Sequence, residues 1–164
     1  MRPVPEYDAK AWLLKALRET ARAIESLIWN VNDAALDRRA EPDEWSCREL
    51  VAHMAHMERG FTDWLERMVR DEDARIDAFD GDSEDAAANA DDDAFDLTNE
   101  FSEQRQRTVY LLWSLDAEDW ERRGVHPYLG SLTVTQVARE MNEHDLAHLW
   151  QLRRLCDRFA TASV

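Results

Sequence analysis

The sequence predicts an all-α chain folded as a four-helix bundle. Three observations lead there. Four stretches of about 20 to 26 residues carry apolar side chains at the three-and-four spacing of amphipathic helices. Four Gly and four Pro among 164 residues are too few for a sandwich or barrel, which must turn every few residues. The acidic stretch Asp71 to Asp93 has no period, and it is long enough to run the length of a ~35 Å bundle. The second and third helices therefore need not be antiparallel neighbours.

The first helix is expected from Ala9 to Asn30, with Asp8 as N-cap and Trp12, Leu13, Leu17, Ile24 and Ile28 on its apolar face. Asn32 to Glu44, with Pro42, interrupts the pattern. Ser46-Cys47-Arg48-Glu49 reads as a capping box, in which hydroxyl and carboxylate each satisfy a free backbone donor. It opens a second helix ending near Arg70. Its apolar positions are Leu50, Met54, Met57, Phe61, Trp64, Leu65 and Met68. Residues 71–93 are expected to be a flexible acidic connection. Asp80, Asp82 and Glu84 alternate as in a calcium loop, but Asp85 replaces the required Gly and the terminal Glu is missing, so no EF-hand is assigned. A third helix is expected from Asp96 to Leu115. A loop with Gly124, Pro127 and Gly130 follows. The pattern Thr133-Val134-Thr135-Gln136 caps a fourth helix reaching about Phe159. No β-sheet is expected, and residues 1–164 are read as a single domain.

Charge narrows the function. The net charge is −15, a surface that repels nucleic acid. No apolar run approaches the ~20 residues of a membrane span, and none resembles a signal-peptide core. A cytoplasmic protein without a membrane partner is expected. Two cysteines, Cys47 and Cys156, make no disulfide framework.

The histidines carry the chemistry. On the fourth helix, His148 falls near the midline of the stripe formed by Val137, Met141, Leu152, Leu155 and Phe159, and His144 falls about 50° to one side. Two inward imidazoles four residues apart converge on one point. Burying them without partners is costly, and a metal ion would satisfy both. On the second helix, His53 lies about 70° from the apolar centre and His56 about 130° away. His53 is thus the candidate third ligand, and His56 is read as a surface residue. His144-Asp145-Leu146-Ala147-His148 also invites comparison with HExxH zinc peptidases. Asp145 is a methylene shorter than the Glu that serves as base there, so a peptidase ranks low.

The segments "EWSCRELVAHMAHME" and "GSLTVTQVAREMNEHDLAHLWQLRRL" resemble the second- and fourth-helix signatures of the DinB-like (DinB/YfiT) superfamily. The shared features are a Trp-Ser helix start with a His seven residues on, then a Thr-capped helix carrying HxxxH and a Gln three residues later. The resemblance implies an up-down-down-up bundle and a divalent metal (Ni, Zn, Fe or Mn) held by His53, His144 and His148. It places Gln151 beside the site and leaves His56 outside it. It also implies a homodimer and a small-molecule substrate.

Characterised relatives use low-molecular-weight thiols, so the implied function is a metal-dependent thiol S-transferase or detoxification enzyme with such a thiol as cosubstrate. A metal-dependent hydrolase and a non-catalytic, stress-linked interaction protein are the alternatives. Cys47, near a helix start where the dipole can lower a thiol pKa, is read first as an ordinary capping-turn residue. Cys156 reads as packing, Trp45 as a staple before the second helix, and Trp150 as an exposed interface residue. His126 is placed at a pocket mouth or on the surface.

Overall fold

The computed structural model describes residues 6–79 and 92–160. Four long helices dominate: α1 (Glu6–Asn30), α3 (Cys47–Arg70), α4 (Ala94–Ser114) and α5 (Val134–Ala160), with a one-turn α2 (Asp33–Leu36) after the first. Helix α1 begins at Glu6, so Asp8 lies in its first turn and is not its N-cap. Both capping boxes form. The Ser46 hydroxyl accepts from Glu49 N–H while the Glu49 carboxylate accepts from Ser46 N–H at 2.8 Å. Gln136 N–H donates to Thr133 Oγ1 and Thr133 N–H to Gln136 Oε1. Helix α4 starts two residues earlier than expected, because Asp93 caps the N–H groups of Phe95 and Asp96.

Side-chain pairings give the helix directions. Arg48 donates to Asp92 O, Arg105 meets Glu58, and Thr108 meets Thr62, so α3 and α4 run parallel. Lys10 reaches Ala117 and Trp29 stacks on Phe95, so α1 opposes α4. Trp45 lies beside His148 and Phe61 beside His144, so α3 opposes α5. The order is up-down-down-up, with α1 and α3 each packed between α4 and α5.

A small sheet closes one end of the bundle where the sequence led us to expect none. Strand β1 (Ala74–Arg75) pairs parallel with β2 (Arg123–His126), which pairs antiparallel with β3 (Gly130–Thr133). Strands this short show no period-2 pattern, and the β1 partner is about 50 residues away in the chain. Gly124 permits the approach, since a Cβ there would lie 2.8 Å from Met68 Cγ. Residues 71–79 are accordingly anchored instead of flexible. Ile76 is buried and donates to Val125 O, Trp64 Nε1 donates to Asp77 O at 2.8 Å, and Phe79 packs on Trp64. The calcium-loop residues Asp80, Asp82 and Glu84 lie outside the described residues.

The core has two apolar halves. One contains Ile24, Ile28, Leu50, Met54, Phe101, Leu152 and Leu155. The other contains Leu17, Phe61, Leu65, Met68, Leu112, Val137 and Met141. Between them lies a polar layer centred on Arg105, whose side chain is 2% exposed. Its guanidinium donates to both Glu58 oxygens (3.0 and 2.7 Å), to Asp145 Oδ2 (2.5 Å) and to the Leu17 carbonyl (3.0 Å). Those acceptors come from α3, α5 and α1, so one side chain of α4 joins all four helices. Thr108 donates to Glu58 Oε1 at 2.9 Å and shares a hydrogen bond with Thr62.

Removing one member of a buried ion group leaves the others uncompensated, at a cost of about 3–5 kcal/mol. Arg105→Leu is expected to lose roughly that much stability in urea unfolding at pH 7. Burial by itself raises the Asp145 carboxyl, but the charge of Arg105 and hydrogen bonds from His144 and Arg105 outweigh it and hold the group below its ordinary value. The stability Asp145 contributes is therefore present above the ordinary carboxylate pKa of about 4 and lost as pH falls through the lower folded value. The wild-type advantage over Arg105→Leu should shrink in that acid range. An advantage unchanged down to the acid transition would show that Asp145 is not part of the stabilising layer.

Candidate metal centre

The three histidines selected by helical position meet at the edge of the polar layer. His53 Nε2 stands 2.9 Å from His144 Nε2, and His148 Nε2 stands 3.1 Å from the same atom. One ring nitrogen from each lies within 4.8 Å of the other two, and among the described residues no Asp, Glu or Cys joins the group. His53 is buried and the other two are half-buried. The i, i+4 spacing of His144 and His148 stacks their rings on one face of α5, and the opposed α3 brings His53 across.

The donor set suits a divalent cation. Ligands about 2.0–2.1 Å from a common ion stand close to 3 Å apart, as His144 Nε2 does from each of the other two. The outer nitrogens point the same way. His148 Nδ1 lies 2.7 Å from Gln151 Oε1, which can only accept, so that Nδ1 carries the hydrogen and Nε2 turns a lone pair inward. His144 Nδ1 faces Asp145 Oδ1 at 3.9 Å. Inward lone pairs only about 3 Å apart repel unless a cation or proton lies between them. The three residues could therefore hold one ion.

Aromatic rings wall the group. Trp45 packs on His53 with centroids 4.7 Å apart, so the staple expected before α3 also borders the site. Phe61 meets His144 edge-on at 6.0 Å, and Phe79 meets Phe61 at 5.4 Å.

The remaining candidates fall elsewhere. His56 is half-buried, edge-on to Phe79 at 6.4 Å, and takes no part in the group. It is less exposed than expected because Phe79 returns over α3. His126 is buried in β2, its Nδ1 accepting from the N–H groups of Tyr128 and Leu129, and it meets Trp64 at 5.0 Å. Cys47 is fully buried. A hydrogen bond with Cys156 and then burial push its thiol up, the opposite of activation by the helix start. Trp150 is 69% exposed, as its outer position required. Asp145 points into the Arg105 layer, so it does not serve as the base of an HExxH-like motif.

Sequence reasoning passed over Glu58 and Arg105. A usable signal existed: Glu58 continues the core spacing Met54–Glu58–Phe61–Leu65, and Arg105 the spacing Phe101–Arg105–Thr108–Leu112. Opposite charges at core positions of two helices mark a buried pair.

Comparisons with known proteins agree with this architecture. The chain is 25% identical to YuaE, an uncharacterized protein of Bacillus subtilis, over 82% of this chain and 93% of YuaE. Its fold is similar to that of YfiT from Bacillus subtilis (TM-score 0.83, 18% identity, 98% of this chain and 93% of YfiT). YfiT is described as a probable metal-dependent hydrolase with an unusual four-helix bundle topology. The DinB-like protein YjoA of Bacillus subtilis is similar as well (TM-score 0.68, 14% identity, 91% and 92% covered). The sequence profile of the DinB superfamily matches residues 16–152, and the chain belongs to that superfamily.

Proposed function

We propose that His53, His144 and His148 hold one divalent cation through Nε2 and that the chain is a metal-dependent enzyme acting on a small molecule. The observation carrying this is the convergence of three imidazole nitrogens from two opposed helices at metal-ligand spacing. Three neutral ligands leave the ion's charge uncompensated, so when bound it supplies Lewis acidity that lowers the pKa of a thiol or water. An all-imidazole set does not choose sharply among nickel, zinc, iron and manganese.

The chain's own residues hold and shield that point. Gln151 fixes the His148 ring, Asp145 backs His144, and Trp45 and Phe61 exclude water from the buried side.

The nucleophile we favour is a low-molecular-weight thiol, in an S-transfer reaction. Among the described residues no carboxylate joins the three histidines, and Asp145 is occupied by Arg105. A thiol with pKa about 8.5 needs far less activation than water at 15.7, so it can react without a neighbouring base. Hydrolysis is the second reading, supported by the description of YfiT. We also propose a homodimer, using the exposed Trp150.

Protein purified without chelator and offered nickel or zinc should contain about one equivalent of metal per chain. His148→Ala should lose metal and activity together while remaining folded, and His56→Ala should retain both. Activity is read with bacillithiol, mycothiol and glutathione against electrophilic acceptors, and with simple esters. Loss of metal from His56→Ala with retention in His53→Ala would overturn the assignment, and metal-free protein throughout would favour a non-catalytic role. Gln151→Ala should weaken metal affinity by roughly tenfold or more, measured by competition with a chromogenic chelator, without altering unfolding of the metal-free protein. Sedimentation equilibrium at micromolar concentration should give a dimer that Trp150→Ala weakens. A monomeric wild type would remove the dimer.

A further inference from the structure

A large cavity among the described residues lies away from the histidines. It is a half-open groove of about 1220 Å³ between α1 and α4. Leu14, Val109, Leu112 and Leu115 line it, and Trp120 closes one end. That volume exceeds the ~300–1000 Å³ of ordinary small-molecule pockets.

Its charge runs against that of the whole protein. The chain has a net charge of −15 and only two lysines, Lys10 and Lys15. Both line this groove, together with Arg18 and Arg22. Lys10 is engaged at the closed end, donating to Ala117 O and lying over the Trp120 ring, and Arg22 pairs with Glu19. Lys15 and Arg18 are exposed, and among the described residues neither forms an ion pair with a carboxylate, although the Lys15 ammonium lies over the Trp12 ring at 5.2 Å. The lining carboxylates stand at the ends, Glu25 at one and Asp116 and Glu118 at the other, because α1 and α4 run antiparallel. At the Glu25 end, the Ser102 Oγ is buried without a hydrogen-bond partner among the described residues.

We propose that this groove binds an amphipathic organic anion, an alkyl chain carrying one carboxylate-type head. The alkyl chain lies along Leu14, Val109, Leu112 and Leu115. The head sits mid-groove against Lys15 and Arg18, since at either end it meets a like charge. From Arg18 at the head to Lys10 at the Trp120 end the groove spans eight helical residues, about 12 Å, which a twelve-carbon chain fills with its last carbons at the open edge. Desolvated apolar contact supplies affinity, and Lys15 and Arg18, neither balanced by a carboxylate among the described residues, select the charge of the ligand. This reading is independent of the metal centre.

The test is calorimetric titration of the full-length protein with dodecanoate, dodecanol and dodecyltrimethylammonium, all below their aggregation concentrations. Dodecanoate is expected to bind one per chain. Dodecanol and the Lys15→Gln/Arg18→Gln variant with dodecanoate are each expected to bind roughly tenfold more weakly, the effect of losing two exposed charge contacts. The ammonium should bind weakest. Val109→Trp, which fills the groove, should abolish binding while circular dichroism and metal content stay unchanged. Should that variant unfold, the double Gln variant still decides. Equal binding of dodecanoate and dodecanol, or an unchanged affinity in the double variant, overturns the proposal. So does a dimer in solution that Trp113→Asp separates and whose groove takes no dodecanoate in either state, because a second copy then occupies the face.

Discussion

The architecture depends on one buried cation. A guanidinium inside an apolar bundle is tolerable only when its donors are met and its charge is balanced. Arg105 achieves this with two carboxylates and a main-chain carbonyl drawn from the three other long helices. That demand sets the depth and rotation of all four helices at one level. A small shift of any helix breaks a charge-assisted hydrogen bond, whereas apolar stripes tolerate sliding. The apolar halves on either side supply the burial energy, and the polar layer supplies the register.

The histidine group inherits its position from that layer. His144 precedes Asp145 in the chain, so the turn of α5 that directs the carboxylate to Arg105 places the neighbouring imidazole over the adjoining face. His53 lies five residues before Glu58 on α3, whose carboxylate grips the same guanidinium. The three nitrogens thus converge on rigid helices held by a common anchor, the arrangement a preorganised metal site requires. Asp145 touches both places, with Oδ2 on Arg105 and Oδ1 3.9 Å from His144 Nδ1.

Surface charge is partitioned as well. Carboxylates dominate the chain, yet both lysines and the exposed Arg18 and Arg22 gather along the α1/α4 groove. The groove and the histidine group are separate places on the fold, and Arg105 lines the first and holds the layer behind the second.

Much of this was legible in the chain. Helical period set the four long helices, and local capping chemistry set two of their starts, because both depend on neighbours within four residues. The i, i+4 histidines were readable for the same reason, and His53 was separable from His56 by angle alone. The strand pairing was not readable, since two- and four-residue strands acquire their partners only when α3 and α5 bring distant loops together. Nor was the fate of Glu58, Arg105 and Asp145. A charged residue on an apolar stripe can turn to solvent or find an opposite charge inside, and that choice is made by another helix. The sequence by itself determined the helices, their inward faces and which imidazoles could meet. Tertiary structure decided what lies behind them, because the energy of a buried charge depends on the partners that folding brings within hydrogen-bonding distance.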